Sequence, residues 1–187
     1  MFGIIRRSTI LIYLNSMRQN YFIPFIVLMF AFIPRSNSQI ESNTEVTVYN
    51  KSPKQIYNFL TTLTPEKYLL WHTEHKEFKA IKTTPDILGS IFYFNDLING
   101  EQVENSWTVV LVEQDKKLTM KSSKFSVSMI IQIELTAIGN NTLVKHQLKV
   151  GKSMTGWLVK LFFTDKMIKD LQRHVKEEFT NLEWIIP

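Results

Sequence analysis

The chain ends in a run that reads as one long amphipathic helix, about Trp157 to Ile185, and everything before it must supply a surface for that helix to cover. At helical period, Met167, Leu171, Val175, Leu182 and Ile185 fall on one face, while Lys169, Arg173, Lys176 and Glu177 take the solvated one. His174 and Glu178 are four residues apart, so they project from the same side, at the margin of the apolar face. Burying an imidazole or a carboxylate without a partner costs several kcal/mol. The pair therefore calls for a metal ion, a polar pocket or a simple His–Glu contact on the helix flank.

The preceding chain reads as strands separated by turns. Thr44–Tyr49 alternates as a first strand. Ser52-Pro53 and Thr64-Pro65 then each open a short helix, with Ser or Thr as N-cap and Pro at the first helical position. Strands are expected at Lys76–Thr83, Gly89–Leu97, Gln102–Glu113, Leu118–Ser123, Phe125–Thr136 and Thr142–Val150, with hairpin signals at Asn99-Gly100 and Gly139-Asn140-Asn141. This order predicts an α+β domain. A curved antiparallel sheet of about seven strands wraps the last helix, two short helices follow strand 1, and a cavity lies between sheet and helix.

Composition excludes several functions. The sequence has 187 residues and no cysteine, so disulfides, thiol nucleophiles and Cys-based zinc sites are ruled out. The net charge is +5, but Arg6, Arg7, Arg18 and Arg35 lie in residues 1–38, which hold no acid. The rest is nearly neutral and lacks the basic footprint of a nucleic-acid binder. No Gly-rich phosphate loop and no Gly-x-Ser-x-Gly elbow occur.

Tyr21–Ile33 is apolar but shorter than the ~20 residues of a spanning helix. It fits the hydrophobic region of a signal peptide, with Ser36 and Ser38 at small-x-small spacing and cleavage after Ser38. Residues 1–38 are therefore expected to be a leader for export, periplasmic or secreted, ahead of a domain over residues 43–187. The competing reading joins Thr9–Leu14 to this run as an uncleaved membrane anchor, against which Arg18, Gln19 and Asn20 count.

Two motifs carry a resemblance. Tyr68-Leu69-Leu70-Trp71-His72-Thr73-Glu74-His75 follows the short helices, and His174-Val175-Lys176-Glu177-Glu178-Phe179-Thr180-Asn181-Leu182 lies in the last helix. With the element order, they resemble the START/Bet v 1-like, or polyketide cyclase-like, superfamily over about Asn43 to Pro187. Within it they look like the diacetylphloroglucinol hydrolases, which carry a Trp-His element and an H-x-x-x-E-x-x-N-L element. The resemblance implies a helix-grip fold and a metal-dependent hydrolase, with zinc or another divalent ion, cleaving a carbon–carbon bond of an acylated phenolic or polyketide-like compound. It maps the metal ligands onto His72, His174, Glu178 and a strand acid. Asp96, seven residues after Gly89, takes that last place, one methylene shorter than the family's Glu, with Glu101 and Glu104 as the other acids at hand. His75 is then a catalytic base or an alternate ligand.

Trp71, Tyr93, Trp107 and His146 are expected to line the cavity, along with Phe92, Phe94 and Phe125 or as plain core. The expected partner is a small hydrophobic or aromatic molecule, with no nucleic acid. A module that binds or carries a lipid or polyketide without catalysis would use the same cavity.

Overall fold

The computed structural model describes residues 40–124, 127–151 and 164–187. The leader or anchor assigned to residues 1–38, Phe125, and the helical reading of residues 157–163 lie outside them. The described elements run β1 (Ile40–Val48), α1 (Pro53–Thr61), α2 (Pro65–Trp71), β2 (His75–Lys82), β3 (Ile91–Ile98), β4 (Glu101–Glu113), β5 (Lys117–Lys124), β6 (Val127–Ile138), β7 (Asn141–Val150) and α3 (Asp165–Ile185). Among these helices, none is long and apolar enough to cross a membrane.

The strands form one antiparallel sheet in the order β1-β7-β6-β5-β4-β3-β2. Strands β1 and β2 are its two edges, and α1 and α2 carry the chain from one edge to the other. Local chemistry sets these elements. Ser52 and Gln55 form a reciprocal capping box at α1, and Thr64 and Thr164 cap α2 and α3 through their hydroxyls. Asn99 and Gly100 both take positive φ, as a tight hairpin turn between β3 and β4 requires.

Strand periodicity decides what faces the helix. In β7, Thr142, Val144, His146, Leu148 and Val150 point inward and are buried. Strand β2 departs from strict alternation. His75 pairs with Asp96, but Glu77 pairs with Asn95 and Phe78 with Phe94, so a bulge at Lys76 inserts one extra residue. It lets His75 and Phe78, three apart, both bury on the inner face, at 3% and 4% exposure.

Helix α3 closes the open face of the sheet. Val175, Phe179 and Leu182 pack with Val46, Val48, Val144, Ile133 and Leu135, and with Ile56, Phe59 and Trp71 from the short helices. Phe179 is 1% exposed and sits edge-on to Trp71, with ring centroids 5.9 Å apart. Truncating it removes contacts on three sides at once, so Phe179→Ala is expected to lower unfolding free energy by ~3–5 kcal/mol, measured by urea denaturation.

Candidate metal centre and cavity

The site forms where α2 runs into β2 against α3. Helix α2 stops at His72, whose backbone is extended (φ −150°, ψ 144°), and a turn closed by the His75 amide on the His72 carbonyl (3.1 Å) starts β2. Two hydrogen bonds clamp this turn to α3. The Trp71 indole N–H donates to the Glu178 carbonyl (2.6 Å), and the Asn181 amide donates to the Trp71 carbonyl (2.9 Å). His72, His75 and His174 are thereby buried together, each offering a ring nitrogen within 4.8 Å of the others.

Hydrogen-bond partners assign the tautomers. His75 Nδ1 lies 2.7 Å from the Tyr68 carbonyl, which only accepts, so Nδ1 carries the proton. His174 Nδ1 lies 2.7 Å from Glu74 Oε2 and donates likewise. Both rings then turn Nε2 toward one atom, Glu178 Oε1, at 2.7 Å from His75 and 3.4 Å from His174. In their neutral forms, two imidazole lone pairs and a carboxylate converge, an arrangement that needs a shared cation, either a proton or a metal ion. His72 is wired the other way. Its Nδ1 accepts from the Glu74 amide (3.1 Å), which leaves Nε2 to donate to Glu177 Oε2 (3.1 Å).

Around the rings stands a ring of charge. Arg173 donates to Glu177 (2.8 Å) and to Glu74 (3.1 Å), so one guanidinium holds both carboxylates that orient His174 and His72. Burial alone would lower the His174 pKa, but the hydrogen bond and charge of Glu178, with Glu74 behind, push it up to about 9. Burial would raise Glu178, yet hydrogen bonds from His174 and His75 hold its carboxyl well below the ordinary range.

The donor chemistry suits a divalent ion. Imidazole nitrogens and a carboxylate are an accepted zinc, iron or manganese set. Two ligands of a tetrahedral zinc, each at ~2.1 Å, stand ~3.4 Å apart, the spacing of His174 Nε2 from Glu178 Oε1, whereas His75 Nε2 lies at hydrogen-bond distance from that oxygen (2.7 Å) and would draw back to share an ion with it. The outer nitrogens of His75 and His174 bond to a carbonyl and a carboxylate, the usual backing of metal-bound histidines.

Behind the cluster lies a cavity of about 130 Å³ between sheet and helices. Its wall is mostly apolar, from Leu60, Trp71, Phe92, Phe94, Trp107 and Ile131 among others, and Tyr68, Asp96, His146 and Glu178 supply its polar atoms. Tyr68 stacks on His75 with centroids 3.9 Å apart and donates its hydroxyl to Asp96. Burial, and then the charge of Asp96, raises the Tyr68 pKa, while burial raises that of Asp96 against the Tyr68 hydrogen bond. His146 is kept neutral by burial, which lowers its pKa to about 4.

Of the residues singled out from sequence, His72, His75, His174 and Glu178 come together. Asp96 lies opposite His75 in the β2–β3 ladder, with its hydrogen bond going to Tyr68. Glu101 and Glu104 are exposed on β4, away from the cluster. Trp71, Trp107 and His146 line the cavity. Tyr93 does not. Strand alternation sends Phe92 and Phe94 inward and Tyr93 to the other face, beside Lys79. Sequence reading passed over Tyr68 and Glu74, although both stand inside the Trp-His motif, and left Arg173 and Glu177 as plain solvated residues.

The sequence matches no family model, and comparison with curated proteins gives no match. Solved structures do match in shape. TTHA0849 from Thermus thermophilus is 15% identical with a TM-score of 0.61, over 79% of this chain and 97% of that one. A START superfamily protein from Mycobacterium smegmatis is 14% identical with a TM-score of 0.58, over 79% and 96%. Ara h 8.0201 is 9% identical with a TM-score of 0.60, over 80% and 98%. The fold is that of the START/Bet v 1-like superfamily. In this helix-grip frame, the cavity occupies the space between the curved sheet and the gripped helix.

The raised His174 pKa has a consequence for the metal-free protein. A folded-state pKa above the unfolded 6.5 adds stability that is fully present below pH 6.5 and lost as pH rises through about 9. In chelator, the urea midpoint of the wild type is expected to fall between pH 6.5 and 9, and that of His174→Gln to lack this component.

Proposed function

We propose that the protein is a divalent-metal-dependent hydrolase acting on a small hydrophobic acyl compound held in the helix-grip cavity. His75, His174 and Glu178 would hold the metal, with His72 beside it. The observation that supports this most is the convergence of two imidazole Nε2 atoms on Glu178 Oε1, each ring locked by a bond at Nδ1. A bound zinc would supply Lewis acidity and a water with a pKa near ~7.

The chain's own residues do the rest. Glu74 and the Tyr68 carbonyl keep His174 and His75 in the binding tautomer. The apolar wall excludes bulk water and takes the hydrocarbon part of the substrate. Tyr68 and Asp96 present a hydroxyl and a carboxylate beside Glu178, where a polar end of the substrate is oriented. In this reading Tyr68 or a protonated Asp96 would give the proton that a carbon–carbon cleavage of an acylated ring requires at the leaving carbon. Size narrows the substrate. An apolar cavity of ~150 Å³ is known to hold benzene, so about 130 Å³ accommodates a ligand of roughly one ring.

A second reading keeps the same cavity for binding alone, and its largely apolar lining favours that as much as it favours catalysis. Elemental analysis of the purified protein separates the two. About one equivalent of zinc is expected in the wild type and in His72→Ala, and less than a tenth of that in His75→Ala, His174→Ala and Glu178→Ala. Wild type that stays metal-free after incubation with zinc would leave the binding module as the function.

A further inference from the structure

Ile87 stands out in the loop between β2 and β3. Among the described residues, four besides glycine adopt positive φ: Asn50, Ile87, Asn99 and Asp115. Three are Asn or Asp, whose short polar side chains tolerate the left-handed region. Ile87 is β-branched and held at φ +63°, a conformation its side chain resists.

The loop is built to hold it there. The Ile87 amide donates to the Thr84 carbonyl (3.1 Å), and the Ser90 amide donates to the Ile87 carbonyl (2.9 Å). The Gly89 amide donates to the Val109 carbonyl of β4 (2.9 Å), and the Thr84 amide donates to the Ser90 hydroxyl (2.9 Å), which is itself buried. The outcome is an apolar side chain, 9% exposed, that clusters with buried Val109 and Leu118, with Leu60 and Phe92 against that cluster, and lines the cavity. Its place is at one end. Ile87 precedes β3, in the cluster with Val109 and Leu118 and beside the Gly89–Val109 hydrogen bond, and Asp96 stands near the other end of that strand.

We propose that Ile87 is the end stop of the cavity, setting the length of the apolar ligand it admits. The ligand's polar end lies at Tyr68, Asp96 and Glu178, and its apolar end abuts Ile87. At this positive φ the branched side chain stands in the cavity wall. This rests on the cavity being a ligand site and stands apart from the metal.

The probes are n-alkylbenzenes from toluene to n-hexylbenzene, with affinity taken from the thermal shift of the purified protein and metal content measured in parallel. Wild type is expected to bind toluene and ethylbenzene and to lose affinity from n-butylbenzene onward. In Ile87→Ala the limit moves outward by two to three carbons, with n-butylbenzene binding at least tenfold tighter than to wild type. Ile87→Gly, which adopts positive φ freely, gives the same shift and serves if the Ala variant folds poorly. Ile87→Val leaves the limit within one carbon. An unchanged limit in folded Ala and Gly variants overturns the proposal, as does a wild type that binds n-hexylbenzene as tightly as toluene or binds none of the series. Metal content equal in wild type and variants is expected throughout, so loss of the length limit and loss of the metal reading are separate results.

Discussion

The structure depends on the clasp between the end of α2 and the middle of α3. Trp71 gives its indole N–H to the Glu178 carbonyl and receives the Asn181 amide at its own carbonyl. The first bond is short and the second of ordinary length, and the indole packs edge-on against Phe179 and Phe59. Each bond is worth about 0.5–1.5 kcal/mol net, and removing one partner while the other stays buried in this apolar setting costs about 1–3 kcal/mol. Because His72 and His75 flank the clasp on one chain segment and His174 and Glu178 on the other, the same contacts that close the core assemble the site.

Charge is layered outward from that point. Imidazoles and Glu178 are innermost, Glu74 and Glu177 come next, and Arg173 sits at the surface holding both. His174 and His72 thus each have a carboxylate one layer out, and His75 has the Tyr68 carbonyl, which is how a domain tolerates such a cluster beside an apolar cavity. On the cavity side, Tyr68 links the layers: its ring stacks on His75, its carbonyl orients that histidine, and its hydroxyl serves Asp96. The surface pair Arg173–Glu177 is an ordinary i,i+4 contact by energy, worth a few tenths of a kcal/mol. Its weight here comes from what its carboxylate holds.

The fold was legible in the amino-acid order because its signals are local. Ser52-Pro53 and Thr64-Pro65 open helices through capping chemistry, Asn99-Gly100 takes the turn that only such residues take easily, and β7 alternates without a break. The inner margin of α3 was legible for the same reason, since a helix places His174 and Glu178 on one side whatever it packs against. Tyr93 was misplaced for lack of a phase: alternation says that Phe92 and Tyr93 face opposite ways, not which of them faces the helix.

What the sequence determined by itself was the set of elements, their order and the placing of His174 and Glu178 on one side of the last helix. Tertiary structure decided their wiring. The bulge at Lys76 turns His75 inward beside Phe78, which no period-2 pattern foretells. The tautomers of His72, His75 and His174 follow from the Glu74 amide, the Tyr68 carbonyl and the Glu74 carboxylate. His174 is brought to Glu74 by packing between segments a hundred residues apart, and hydrogen-bond geometry at that range is a property of the packed chain, not of its local sequence.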